Sequence, residues 1–169
     1  MTRLLVLAIV LLAATAASAG AHSTAGACTG KQLTGTFTAV AGSAGAGNIS
    51  YRLVLKNVST QECEISGLPQ GRLLAKSGKL LATNVRAAHP GALTAVLLRL
   101  TPGKKAYATA RFSPDVPGVG EPVSGTRCEP IASWLRVNAP GGGTVKAKIT
   151  PPTSVCEHGR LLVSSYSAA

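Results

Sequence analysis

Acidic side chains are scarce in this sequence of 169 residues, where six Asp and Glu stand against 17 Lys and Arg and the formal net charge is +11. So few acids leave no Asp-rich calcium loop, and the excess positive charge favours anionic polymers and surfaces as partners. Aromatic residues make up only 4 % of the chain. The core must therefore consist of Leu, Val, Ile and Ala, and the aromatic interleaving of a dedicated nucleic-acid site is missing.

Long apolar runs are missing beyond the N-terminus. There a short positive start precedes the apolar run Leu4–Leu12, and Ala17-Ser18-Ala19 offers the small residues that a signal peptidase recognises. We expect a signal peptide over residues 1–19 and a flexible segment over 20–27. No later stretch approaches the roughly 18 apolar residues of a spanning helix. The mature chain is therefore expected to lack a transmembrane span and to be secreted or associated with the cell envelope.

A lipid anchor is the alternative interpretation of this region. The small residues Ala25-Gly26-Ala27 precede Cys28, which would then become the acylated N-terminus of a lipoprotein. However, the polar stretch His22-Ser23-Thr24 separates Cys28 from the apolar run. This gap favours cleavage near Ala19 over lipidation.

All four cysteines, Cys28, Cys63, Cys128 and Cys156, lie beyond the predicted signal peptide. No two of them show the two-residue spacing of a zinc or redox site, and an even number in an exported chain is typical of disulfides. Three pairings are possible. We favour Cys28–Cys63 and Cys128–Cys156, because each would tie the start of one strand to a nearby segment. Each bridge would stabilise the fold by roughly 2–4 kcal/mol.

The rest of the chain alternates short segments of period two with turns rich in Gly and Pro, and no segment shows a sustained helical period. The clearest alternation is in 49–56, where Ile49, Tyr51, Leu53 and Leu55 share one face. Further strand-like segments are 33–39, 63–65, 73–75, 80–82, 93–100, 106–112, 134–137, 145–149 and 161–163, whereas 84–91 and 113–127 are predicted to be loops. We expect about nine strands in two antiparallel sheets packed face to face, forming a single domain over 28–169.

Several of these residues together resemble a known family, the actinobacterial secreted proteins called domain of unknown function 4232. The matching residues are Cys28, Gly47-Asn48, Tyr51, Leu53, Leu55, Asn57, Ser59, Cys63-Glu64-Ile65-Ser66-Gly67-Leu68-Pro69, Leu100-Thr101-Pro102-Gly103, Cys128, Leu135-Arg136-Val137 and Cys156. The resemblance covers nearly all of the mature chain. It implies an exported, immunoglobulin-like β-sandwich, sometimes lipid-anchored, with no established activity, and it supplies no catalytic residues.

Residues that could support catalysis are few and scattered. A Ser–His–Asp site needs a base and an orienting acid, but the only aspartate, Asp115, and the histidines His22, His89 and His158 lie in predicted loops or near the new N-terminus. Glu62 and Glu64 flank a cysteine and are expected to face water rather than a cleft. We therefore predict no catalytic residues, no metal ligands and no cofactor.

Two other motifs have structural interpretations. Gly141-Gly142-Gly143 leads into a strand rather than a helix, so we interpret it as a hairpin turn and not as a phosphate loop. Trp134 stands alone and is expected in the core or covering the sheet.

The basic residues are the feature that bears on partners. Arg52, Lys56, Arg99, Arg111, Arg136, Lys146 and Lys148 fall on predicted strands, where charged side chains usually face solvent and protect sheet edges. Their number nevertheless favours attraction to anionic polymers of the cell envelope. We expect a non-catalytic exported domain that binds or decorates the cell envelope, or serves as an extracellular binding or structural module, and that has no specific nucleic-acid partner. The alternative is a secreted inhibitor or protein-binding domain that uses loop 113–127.

Overall fold

A computed structural model describes residues 25–91, 95–122 and 128–168. The predicted signal peptide lies outside these ranges and stays a prediction. Within them, no helix has the length and apolar character needed to cross a membrane.

The described chain is all-β, as the alternating pattern predicts. Its strands are β1 (Leu33–Ala39), β2 (Ile49–Asn57), β3 (Cys63–Ile65), β4 (Gly71–Leu74), β5 (Asn84–Ala87), β6 (Leu98–Leu100), β7 (Lys105–Phe112), β8 (Ala132–Asn138), β9 (Thr144–Thr153) and β10 (Arg160–Val163). One 3-10 turn, Gly30–Gln32, and one irregular turn, Cys156–Gly159, interrupt them.

Eight of the strands form one sheet in the order β4-β8-β9-β1-β2-β7-β10-β5, and β3 pairs with β6 in a small second sheet. The pairs β1–β9 and β10–β5 are parallel, and the other pairs are antiparallel. The expected all-β class is confirmed, but the large sheet is mixed and nearly closed, so the fold is not a clear immunoglobulin-like sandwich of two antiparallel sheets. Alternation in a sequence shows which face of a strand is buried, but it does not show which strand is its neighbour or in which direction that neighbour runs.

The large sheet curls round a single core. Gly71 from β4 at one end of the sheet and Val85 from β5 at the other line the same apolar cavity as Phe37 from the central β1. Phe37, Tyr51 and Phe112 stack in a row with ring centroids 5.2 Å apart at both steps. Most of the remaining core is Leu, Val, Ile and Ala, as the composition requires.

Most predicted strands are confirmed, and three segments differ. Residues 84–87, predicted as loop, form β5, because they pair in parallel with β10 far along the chain. Residues 93 and 94 of predicted strand 93–100 lie outside the described ranges, and of its described residues only Leu98–Leu100 form a strand. The predicted strand 80–82 is reduced to one bridge between Leu74 and Leu80.

Both disulfides are present and have the favoured pairing. Cys28 is bonded to Cys63 with the Cα atoms 4.8 Å apart, and Cys128 is bonded to Cys156 with the Cα atoms 5.5 Å apart. A sulfur atom in a disulfide cannot carry a lipid, so the alternative of an acylated Cys28 is excluded. Two disulfides in one small domain indicate an oxidising, extracellular environment.

Candidate functional site

The outer surface of the large sheet carries charge of one sign. None of its eight strands contains Asp or Glu. Their cations are Arg52, Lys56, Arg72, Arg86, Lys105, Arg111, Arg136, Lys146, Lys148 and Arg160. These residues alternate with buried residues, or in β5 with half-buried ones, so they point away from the core.

Eight of these cations lie within six adjacent strands, β4-β8-β9-β1-β2-β7, of which only β1 carries no cation, and we call this surface the cationic face. It consists of Arg52, Lys56, Arg72, Lys105, Arg111, Arg136, Lys146 and Lys148. Protection of sheet edges does not explain it, because β8, β9, β1, β2 and β7 are all interior strands and only Arg72 lies on an edge strand.

Cations on neighbouring strands are paired directly with one another. Arg72 lies opposite Arg136, Arg136 lies opposite Lys146, and Lys56 lies opposite Lys105. Such like-charge pairs destabilise a sheet by roughly 0.2–1 kcal/mol each. The fold therefore tolerates a repulsion that acids at the same positions would remove.

Few of the basic residues are neutralised within the protein. The ion pairs of the described ranges join Arg99 to Glu64 at 3.2 Å, Arg160 to Glu157 at 2.7 Å and His158 to Glu121 at 3.7 Å, and none involves the cationic face. On that face, the ammonium of Lys146 lies 4.7 Å from the ring centroid of Trp134. Trp134 is half-buried on the surface of the sheet, consistent with its predicted role as sheet cover.

A second polar cluster lies beside the Cys128–Cys156 disulfide. The side chain of Glu121 is only 1 % exposed, so its carboxylate is buried. It accepts backbone N–H bonds from Gly118 at 2.6 Å, from Glu157 at 2.8 Å and from His158. Glu157 and His158 both have a φ of +56°, a left-handed backbone that aims their successive N–H groups at this one carboxylate.

The environment shifts the pKa values of the two acids of this cluster in opposite directions. Burial alone would raise the pKa of Glu121, but the three N–H bonds and the His158 ring together lower it below the ordinary value. For Glu129, burial and the adjacent Glu121 carboxylate raise the pKa, and the charge of His158 offsets this in part.

Ligand atoms of Glu121, Glu129 and His158 lie within 4.8 Å of one another. Because the Glu121 oxygens already accept three N–H bonds, we assign the cluster a structural role, joining loop 113–122 to the turn Cys156–Gly159.

The structure does not bring the other candidate residues together. His89 and Asp115 are exposed in separate loops, and Glu64 pairs with Arg99 across the small sheet. Gly141-Gly142-Gly143 forms the turn from β8 to β9, as predicted. The buried position of Glu121 was not foreseen, because no pattern near it predicts the two left-handed residues on which its hydrogen bonds depend.

The fold and the site together define a class, a small disulfide-bonded all-β domain whose sheet presents cations outward. The chain belongs to the family described as domain of unknown function (DUF4232), whose model matches residues 28–166. No curated protein and no solved structure matches this chain.

Proposed function

We propose that this protein is an exported, non-catalytic domain that binds anionic polymers of the cell envelope through its cationic face. The observation that carries the proposal is the direct pairing of like charges, Arg72–Arg136–Lys146 and Lys56–Lys105, in which every cation except Arg72 lies on an interior strand. A polyanion lying across these strands would neutralise the repulsion that the isolated protein retains. The signal peptide predicted over residues 1–19 and the two disulfides support a site of action outside the cell.

The proposal is tested by retention on isolated envelopes and by binding of a linear poly(glycerol phosphate) as a soluble probe. Raising the salt concentration from about 0.05 to 0.5 M should release the protein, because it screens exposed charges. The double variant Lys146→Glu/Lys148→Glu should bind several-fold more weakly at low salt. Binding that does not respond to salt would contradict an electrostatic mechanism.

A matched control separates the effect of the cationic face on binding from the effect of the protein's net charge. Lys76→Glu/Lys79→Glu changes the charge by the same amount in the exposed turn after β4. We expect this control to retain most of the binding. Equal losses in both double variants would mean that only net charge matters and that the cationic face is no specific site.

The structure of loop 113–122 supports a second candidate function, which is binding of another extracellular protein. The side chain of Val119 is 100 % exposed, while its carbonyl oxygen lies 3.1 Å from Nε2 of His158 and the nearby Glu121 is anchored by three N–H bonds. An exposed apolar residue on a constrained loop loses little entropy on binding.

Val119→Asp tests this second candidate, because an exposed change there should leave the fold intact. Capture of a defined extracellular protein by the wild type and its loss in Val119→Asp would support the role. Unchanged capture in Val119→Asp would remove the loop from consideration.

A further inference from the structure

The first strand, β1, interrupts the cations of the face with small hydroxyl side chains. Thr34, Thr36 and Thr38 are all exposed and alternate with the inward-facing Gly35 and Phe37. Threonine side chains are much shorter than lysine or arginine, so the surface is lowest along β1. We call this channel the threonine trough.

The two walls of the trough contain cations, together with Val54 of β2 opposite Thr36 and Thr150 of β9 opposite Thr38. On one side, β9 carries Lys148 opposite Thr36, and Lys146 lies one residue before the pairing of Ala147 with Gly35. On the other side, β2 carries Lys56 opposite Thr34 and Arg52 opposite Thr38. Each threonine therefore has at least one cation beside it, and Thr34 has two, Lys56 and Lys146.

The dimensions of the sheet restrict what can lie in the trough. The two walls are separated by two interstrand steps, or about 10 Å, and successive threonines are about 7 Å apart along β1. A duplex or a branched glycan is too wide for this channel, but one extended linear chain fits. From Thr34 to Thr38 the trough runs for about 14 Å, which is enough for about three evenly spaced anionic groups.

We propose that the threonine trough binds a linear phosphodiester polymer with a short polyol repeat, its successive phosphates seated beside Thr34, Thr36 and Thr38. This inference rests on the proposed function and names the ligand class for the same face. Lysines bind phosphates as compact charges, and threonine hydroxyls donate hydrogen bonds to phosphate oxygens. An extended oligo-glutamate, in contrast, carries its carboxylates at the ends of side chains that point alternately to opposite faces of the chain, so its charges cannot all lie beside the threonines as the backbone phosphates of a phosphodiester can.

The test compares two soluble probes of equal charge, glycerol phosphate oligomers of two to six units and oligo-glutamate, by fluorescence anisotropy at low salt. We expect the phosphodiester to bind more tightly, and its affinity to rise steeply up to about three phosphates and only slowly beyond. Thr36→Val keeps the shape and the charge but removes the hydroxyl. It should weaken phosphodiester binding about three- to tenfold and leave oligo-glutamate binding unchanged.

Thr109→Val is the matched control, because Thr109 is an exposed threonine on the same face, on β7 and outside the trough. It should leave both affinities unchanged, with thermal unfolding confirming that each variant is folded. If the wild type binds neither probe, the proposed function and the trough fail together. If it binds both probes equally, or if Thr36→Val binds like the wild type, the cationic face stands and the trough is overturned.

Discussion

Single buried polar groups show how this domain combines tight packing with local electrostatic control. Glu121 is buried yet held ionised by three N–H donors, while burial and the adjacent Glu121 carboxylate raise the pKa of Glu129. Tyr166 is 5 % exposed, and its hydroxyl has no hydrogen-bond partner within the described residues. Each of these groups makes a distinct contribution to stability that a conservative substitution can isolate.

Glu129→Gln is expected to stabilise the protein at neutral pH. A raised folded-state pKa means that the protonated form of Glu129 is favoured in the folded protein, and that this stability is lost as the pH rises through the folded-state value. Glutamine cannot ionise, so Glu129→Gln avoids this loss of stability. Its free energy of unfolding should exceed that of the wild type at pH 7, and the difference should vanish below about pH 4. Urea unfolding across this pH range measures the difference.

Glu121→Gln should have the opposite profile. A lowered folded-state pKa contributes stability above the unfolded value, and that contribution is lost as the pH falls. Loss of a charged acceptor for three N–H groups should cost about 1.5–3 kcal/mol at pH 7, and the deficit should shrink in acid. A deficit that is the same at every pH would show that packing, not charge, is responsible.

The two buried tyrosines form a matched pair for a second test. The hydroxyl of Tyr51 donates a hydrogen bond of 2.8 Å to the carbonyl of Pro151, whereas that of Tyr166 has no partner in the described chain. Tyr51→Phe should destabilise the fold by about 1 kcal/mol, and Tyr166→Phe should be neutral or stabilising. Equal destabilisation by both substitutions, measured by urea unfolding, would contradict this assignment.

At the scale of elements, the sequence predicts which face of a strand is buried better than it predicts which strands pair with each other. The bounds of β1 agree with the predicted 33–39, because Leu33 and Phe37 alternate with exposed threonines. The strand β5 was missed, because Asn84–Ala87 is half-buried and shows no clean alternation; its pairing with β10 is what makes it a strand. The sequence shows which residues are cationic, but it does not show which cations lie opposite one another on neighbouring strands. That pairing depends on the cross-strand register of segments that are distant in the chain.

Lys56→Glu is expected to separate stability from binding. It replaces the repulsion between Lys56 and Lys105 by an attraction, which should stabilise the fold by about 1 kcal/mol and raise the melting temperature by about 3 °C. The same change removes a cation from the face and should weaken binding of poly(glycerol phosphate). A variant that is both less stable and weaker in binding would argue that Lys56 supports the fold.

At the scale of the whole molecule, net charge opposes compactness. The formal charge of +11 becomes +10 when Arg3 leaves with the predicted signal peptide, and self-repulsion of this kind destabilises a folded state. Neutral salt between about 0.05 and 0.5 M should therefore raise the melting temperature of the free protein. A melting temperature that falls with added salt would mean that attractive pairs outweigh the repulsion.

The position of β1 between β2 and β9 has a consequence for folding. Thr36 and Lys148 are neighbours in the sheet although more than a hundred residues of chain separate them, so contacts of this kind form late and slowly. A newly made polypeptide carries the same lysines without the channel they enclose. If the trough binds a phosphate chain as we propose, that binding would begin only once the last third of the polypeptide has paired with the first, so an incompletely folded copy would not bind.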